Sequence, residues 1–395
     1  MPDHLNSSKP FVISLFNILR SSFRESPLSF DSLVRKAQKR TNLSDLGGDF
    51  NETALKMLIS SANEEAKLNS FGKFMFKEKL IGQLEQRLWA EHWFKKSPEI
   101  LDQEIIPVIM IAGLQRTGTT KLQRLLSLNE DARGLLSWEA LYPAPVRNKT
   151  ERQKRIRRTK MNERAVRWIN PRFFDIHPIE HDKPEEDVLL LDLNFMSTSS
   201  EAILHVPGYA RWLEDQDHMD AYNYEKKLLK LLQWQQGGKY WVLKSPHHLE
   251  HFDLIDQVFP QVKFLWTHRE PAVCIPSFLS MLFFSRTMFS DEVNRNDIKS
   301  HWMKKIKRML ERGLQSRSKL KNRILDITFK DLINSEEQTI QKIENQFGFK
   351  VGSMQTPGAK QYKSQHSYNL SDWDLDENII RVEFKAYYDL LNSIN

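Results

Sequence analysis

The stretch from residue 105 to residue 126 constrains this chain more than any other. An apolar run from Ile105 to Ile111 leads into Gly113-Leu114-Gln115-Arg116-Thr117-Gly118-Thr119-Thr120, and Leu122, Leu125 and Leu126 then recur at helical spacing. A continuous apolar run of strand length is the pattern of a strand buried on both faces, as in a parallel sheet. Glycines at both ends of the loop allow a tight turn. The helix that follows aims free N–H groups and the positive end of its dipole back at the loop. Such a place suits phosphate or sulfate, and Thr119-Thr120 add hydroxyls where an anion would need them.

Short strands are predicted again at Tyr240 to Leu243, Val262 to Thr267 and Ile324 to Thr328. Leu249, Phe252, Leu254, Ile255 and Val258 supply a helical pattern after the first of these, and the alternation predicts an α/β fold with an open parallel sheet flanked by helices. Residues 1 to about 100 read as a helical N-terminal extension. There Leu33, Val34 and Ala37 precede a turn at Gly47-Gly48, and Ala54, Leu55, Leu58 and Ile59 follow. The α/β domain is then 101–395, with a helical insertion over about 135–236. Within it, Arg147 to Arg167 carries ten Lys or Arg against two Glu, read as a solvated helix face.

Composition removes several classes. Apolar residues at 40% with 23 Phe and 10 Trp exclude a disordered chain. A single cysteine, Cys274, excludes a disulfide framework and a multi-thiolate zinc site, so a reducing, cytoplasmic setting is expected. The longest apolar run, Ile105 to Leu114, is half the roughly 20 residues a spanning helix needs, so no integral membrane segment is expected. The apolar patch Phe11 to Phe16 is broken by Asn17 and Arg20 without a following cleavage signal and reads as mature sequence. A net charge of +7 is a mild excess that would suit nucleic acid, anionic lipid or a polyanionic small molecule equally, so it selects none of them. The expectation of no nucleic-acid partner rests on the motifs below.

A phosphate-binding loop of the G-x-x-x-x-G-K-[ST] kind would have lysine where Thr119 stands. The cation here is instead Arg116, two residues before Gly118. In this the loop resembles that of the sulfotransferases, which cradle the 5′-phosphosulfate of 3′-phosphoadenosine 5′-phosphosulfate (PAPS) with a basic residue at this place followed by [ST]-G-T-T. A second match is in register with it: Arg269 follows the predicted strand 262–267, and Ser277 lies eight residues later. In that family such a pair binds the 3′-phosphate, and a forked guanidinium with a nearby hydroxyl suits phosphate oxygens. Thr41 to Gly47, Glu64 to Asn69, Leu243 to Leu249 and His366 to Leu370 are similar to the mainly bacterial branch with a helical preface, so the resemblance spans nearly the whole chain from about Phe30.

The resemblance implies PAPS as co-substrate, cofactor-site residues Arg116, Thr117, Gly118, Thr119, Thr120, Arg269 and Ser277, and no metal requirement. It also implies in-line transfer to an acceptor hydroxyl, less readily an amine, assisted by a carboxylate base. The resemblance places that base at Glu139, in Trp138-Glu139-Ala140-Leu141 about twenty residues beyond the loop, and desolvation between Trp138 and Leu141 would raise its proton affinity. His181, with His177 nearby, is the rival base, just before Pro184-Glu185-Glu186, which reads as a first helical turn. Lys244, at a strand end, is expected to face the transferred group. Trp168, Phe173, Phe174, Tyr209 and Trp212 read as core more readily than as an acceptor pocket. The acceptor is expected to be a small molecule or lipid, and homo-oligomerisation is left open.

Three other readings compete. A kinase or NTPase would use the same loop on ATP. A nucleotide-binding module would bind without transfer. His247-His248-Leu249-Glu250-His251 formally matches H-x-x-E-H, the inverted zinc-protease motif, which lacks a third ligand in sequence.

Overall fold

The computed structural model describes residues 9–21, 26–348 and 368–394. Of the sequence matches above, His366 and Ser367 lie outside the described residues. Five strands form one parallel sheet: β1 (Val108–Ala112), β2 (Ala132–Gly134), β3 (Tyr240–Lys244), β4 (Lys263–His268) and β5 (Ile324–Thr328), in the order β2-β3-β1-β4-β5. β1 begins later than its apolar run predicts because Pro107 has no N–H to give the ladder; its carbonyl still accepts from Trp241 N at 2.8 Å. β2 was not predicted at all, since three residues are too few to show an alternation.

Period-two geometry divides each strand between two cores. Ile109 and Ile111 of β1, Val242 of β3 and Leu265 of β4 pack with Leu122, Leu125, Leu126, Ile340 and Ile343 on one face. Val108, Met110, Trp241, Leu243, Phe264 and Trp266 pack on the other, larger face. Helices thus cover both faces, the α/β arrangement expected.

The N-terminal helices Phe30–Thr41, Glu52–Glu64 and Ser70–Lys96 carry Leu33, Ala37, Leu55, Leu58, Phe76 and Leu80 into the same apolar core as the sheet. Arg87 is fully buried where this preface meets the insertion. Its guanidinium donates to the carbonyls of Leu46 (2.6 Å) and Leu193 (3.2 Å), pairs with Asp49 (2.6 Å) and lies 3.8 Å from the Tyr224 ring centre.

The basic stretch forms the helix Gln153–Ile169, largely exposed as read from sequence. Arg155 is the exception: it is buried, donating to the carbonyls of Tyr142 and Pro143 and to Gln235. One expectation is corrected nearby. Pro184-Glu185-Glu186 does not open a helix; Pro184 bridges to Leu136, Glu185 N donates to Leu135 O at 2.8 Å, and the helix starts at Val188. The backbone there is already committed to the strand-like segment after β2. No helix among the described residues is long and apolar enough to cross a membrane.

Candidate active site

β1 has β3 on one side and β4 on the other, so the C-terminal ends of three central strands lie together, where the order of strand addition reverses across the sheet. The loop 113–118 leaves β1 there. Gly113 is required by close approach, since a Cβ there would lie 2.3 Å from Thr267 Oγ1 and 2.7 Å from its carbonyl oxygen. Gly118, at φ +92°, caps the helix Thr119–Leu126 and leans on Leu332 and Phe329. Arg116 itself sits at φ 75°, a left-handed conformation that a non-glycine residue adopts only when its surroundings enforce it.

Arg116 Nη1 donates to Ile176 O at 3.0 Å, which ties the loop to the insertion. Arg269, directly after β4, donates from Nη1 to Arg116 O at 3.1 Å, and its guanidinium lies 4.0 Å from the Phe329 ring centre. Among the described residues neither arginine forms an ion pair. Burial, with Arg269 close by, lowers the Arg116 pKa. Two neighbouring guanidiniums without a paired carboxylate concentrate positive charge at this point. Cys274 lies beside both, its thiol pushed up to about 12 by burial. Ser277 is one helical turn further along the same helix, Pro271–Thr287, and is partly buried.

Thr119 is buried and Thr120 exposed at the start of the loop helix. Thr117 departs from the expectation of a ligand hydroxyl: its Oγ1 donates to Leu114 O at 2.6 Å and contacts Thr267 Oγ1 at 2.6 Å, so it braces the loop against β4. Lys121, the nearest lysine in the loop helix, is turned away to Leu332 O and Glu336. A phosphate-clamping lysine is therefore not restored by folding.

Lys244 ends β3, its Cα paired in register with Ile111 beside the loop. Its ammonium, 2% exposed, lies 2.7 Å from Glu186 Oε1, and Glu186 remains 23% exposed. His177 Nε2 is 4.0 Å from Glu185 Oε1, and Glu185 O accepts from Gln123 of the loop helix at 3.0 Å. Folding thus pairs Lys244 with Glu186 and brings Glu185 to His177, next to the Ile176 carbonyl that Arg116 holds. Glu185 and Glu186 were visible in sequence only as acids beside a proline.

The two expected bases are placed differently. Glu139, 2% exposed, is held by Arg133 of β2 through Nη1–Oε2 at 2.9 Å and Nη2–Oε1 at 2.5 Å, and Oε2 also accepts from Leu136 N at 3.1 Å. His181 Nδ1 lies 2.8 Å from Glu163 Oε2 on the basic helix, and its carbonyl accepts from Trp138 N. The aromatic candidates divide: Trp168 is 55% exposed, Tyr209 is core, and Phe173 packs with Ile176 and Phe284 next to the Arg116 contact.

The zinc-protease reading is corrected. His247 and His251 stand on a 3-10 turn, Pro246–Glu250, and its boundary, while Glu250 faces Arg308 (3.4 Å) and Arg312 (3.9 Å). A carboxylate held by two guanidiniums is not placed as the base of a metal-bound water.

Comparison with known proteins bears on the family and the fold. The family model described as "Sulfotransferase family" matches residues 107–352. Sulfotransferase STF1 from Mycobacterium tuberculosis H37Rv superimposes with a TM-score of 0.79 at 30% identity, over 91% of this chain and 99% of that one. Sulfotransferase STF9 from Mycobacterium avium gives a TM-score of 0.81 at 22% identity, over 93% and 97% of the two chains, a likeness of fold. No curated protein matches the sequence.

Proposed function

The chain belongs to the sulfotransferase family, and from that premise we propose that it transfers a sulfuryl group from PAPS to an acceptor hydroxyl, an amine being the lesser alternative. The observation that carries the donor is the pair Arg116 and Arg269, joined through the Arg116 carbonyl and matched by no carboxylate among the described residues. Such a pair can receive two anionic groups of one nucleotide, where a single phosphate chain needs only the loop. PAPS when bound would supply a phosphosulfate anhydride whose O–S bond breaks on transfer, with 3′,5′-diphosphoadenosine as the stable leaving group.

In this reading the N–H groups at the start of the helix Thr119–Leu126, with the Thr119 and Thr120 hydroxyls and Arg116, hold the 5′-phosphosulfate. Arg269 and Ser277 hold the 3′-phosphate. Lys244 neutralises charge on the transferred group, because sulfuryl transfer, like phosphoryl transfer, depends on positioning and cationic stabilisation of peripheral oxygens.

For the base, the geometry speaks for Glu186 over the sequence candidate Glu139. Glu139 is sealed from solvent with both oxygens on Arg133, whereas Lys244 occupies Glu186 Oε1 and the carboxylate stays partly exposed. When Lys244 turns to the sulfuryl oxygens, Glu186 is released to accept the acceptor's proton. His181, directed at Glu163, is the weaker rival.

The test has two arms. Calorimetric titration with 3′,5′-diphosphoadenosine and with ATP separates a sulfotransferase from an NTPase; tighter ATP binding overturns the donor assignment. Labelled PAPS offered to phenols, sugars, lipids and peptides finds the acceptor class. Diphosphoadenosine binding without transfer to any of them favours a binding module.

A further inference from the structure

Behind the strand end that carries Lys244, three imidazoles meet. His247 and His251 come from the turn after β3, and His218 comes from the residue that caps the helix Met219–Gln235. Their residues are 4%, 8% and 4% exposed for His247, His251 and His218. Ring centres are 4.3 Å apart for His218 and His251, 4.7 Å for His247 and His251, and 5.6 Å for His218 and His247. One ring nitrogen of each lies within 4.8 Å of the other two.

The hydrogen-bond accounting does not close here. His218 Nε2–H donates to Leu213 O at 3.1 Å, which leaves Nδ1 as a lone-pair nitrogen. That Nδ1, both ring nitrogens of His247 and Nε2 of His251 are buried with no hydrogen-bond partner. A buried polar nitrogen without a partner loses its hydration with nothing in exchange unless something occupies it. His248, in the same turn, shows the contrast: its Nε2–H donates to Asp187 at 2.9 Å and its Nδ1 accepts from the Tyr222 hydroxyl at 2.9 Å. Among the described residues, the three unsatisfied histidines are the group that converges.

Burial lowers the proton affinity of all three rings, which favours the neutral form. Neutral imidazole is the form that binds metal. Lys305, whose charge reaches His218 and His247, is matched by Glu201 (3.4 Å) and Glu214 (3.2 Å).

We propose that His218, His247 and His251 form a structural site for a divalent transition-metal ion of the zinc class, with water as the fourth ligand. Imidazole-only donor sets suit zinc, copper and nickel over magnesium or calcium. At the usual Zn–N distance of about 2.0–2.1 Å, two ligand nitrogens in tetrahedral array are about 3.4 Å apart, so the rings need to close by little more than an ångström. The Leu213 carbonyl on His218 is the outer-shell contact that sets a metal-ligating tautomer. The ion would clamp the turn after Lys244 to the helix Met219–Gln235 without touching substrate, and it is independent of the donor and base assignments above.

Untagged protein is stripped with a chelator, then titrated with Zn²⁺ and with Co²⁺, following calorimetry, cobalt d–d absorption and thermal midpoint. The expected result is one ion per chain, a cobalt spectrum of four-coordinate type and a raised midpoint. His218→Gln should weaken uptake by more than about 100-fold, beyond what loss of an outer-shell partner costs, while His92→Gln leaves it unchanged. If His218→Gln does not fold, the wild-type cobalt titration still decides. No uptake by the stripped wild-type protein, or uptake unchanged in folded His218→Gln, overturns the proposal.

Discussion

The guanidinium of Arg133 meets the carboxylate of Glu139 by two parallel bonds, and neither side chain is more than 5% exposed. Arg133 also lies over the Trp241 ring of β3, 4.9 Å from its centre, and donates to Gly134 O at 3.0 Å. The pair therefore ties the turn after β2 to the sheet beside the site. Removing one member of a buried pair leaves the other charge uncompensated, which costs about 3–5 kcal/mol.

Glu139→Gln is accordingly expected to lose about 3 kcal/mol of stability in a urea melt. Its turnover per folded molecule should fall less than that of Glu186→Gln. A Glu139→Gln protein as stable as wild type but inactive would return the base to Glu139.

Glu186→Gln keeps the shape of the side chain and one hydrogen bond to Lys244 but loses basicity. Turnover should drop about 10²–10⁴-fold with diphosphoadenosine affinity nearly unchanged. An equal loss of nucleotide affinity would assign Glu186 to positioning Lys244 instead.

Arg269→Ala should weaken diphosphoadenosine by about 2–4 kcal/mol while barely changing a nucleotide without a 3′-phosphate, because one charge-assisted forked contact is lost. Calorimetry with both ligands reads the difference. Equal losses for the two would mean that Arg269 serves only to hold the Arg116 carbonyl.

Gly118→Ala places a Cβ 2.9 Å from Leu332 Cδ2 at φ +92°. The left-handed backbone and the contact together should cost about 1–3 kcal/mol. Diphosphoadenosine binding should weaken in parallel, since the first N–H groups of the helix move with the cap. Unchanged binding in the folded variant would mean that these groups do not reach the ligand.

Asp326 of β5 supplies a pH dependence. Burial works to raise its pKa, but the His268 and Arg317 hydrogen bonds prevail and bring it to about 2. The unfolded value is near 3.9, about two units higher, so the unfolded chain binds more protons between the two values. The stabilisation is complete above about pH 4 and is lost as pH falls toward about 2, on the order of 2 kcal/mol. His268 directly precedes Arg269, and its Nδ1 accepts from Tyr387. Asp326→Asn should flatten the acid limb of a stability–pH profile and weaken diphosphoadenosine modestly; an unaltered acid limb would locate that limb in other carboxylates.

What the sequence determined by itself was local in the chain. The strand, loop and helix at 108–126 were legible because burial on both faces, two glycines and a leucine period leave their mark within a few consecutive residues. The α/β class followed from repeating that pattern, while the Arg269 and Ser277 pair was read from its resemblance to a known motif. The three-residue β2 left no period to read, and Pro184 carried a helix-start signal that the Leu136 bridge overrode.

Only the tertiary structure decided which charged groups meet. Glu139 is six residues from Arg133, yet it faces that guanidinium because β2 and the following turn aim both side chains at one point. Lys244 and Glu186 are 58 residues apart, and the sheet and the insertion had to close on each other before the ammonium could reach the carboxylate. His218 joins His247 and His251 in the same way, across the helix Met219–Gln235. Contacts of this kind are set by packing over long loops. Sequence spacing records which groups are available, and the fold determines which of them become partners.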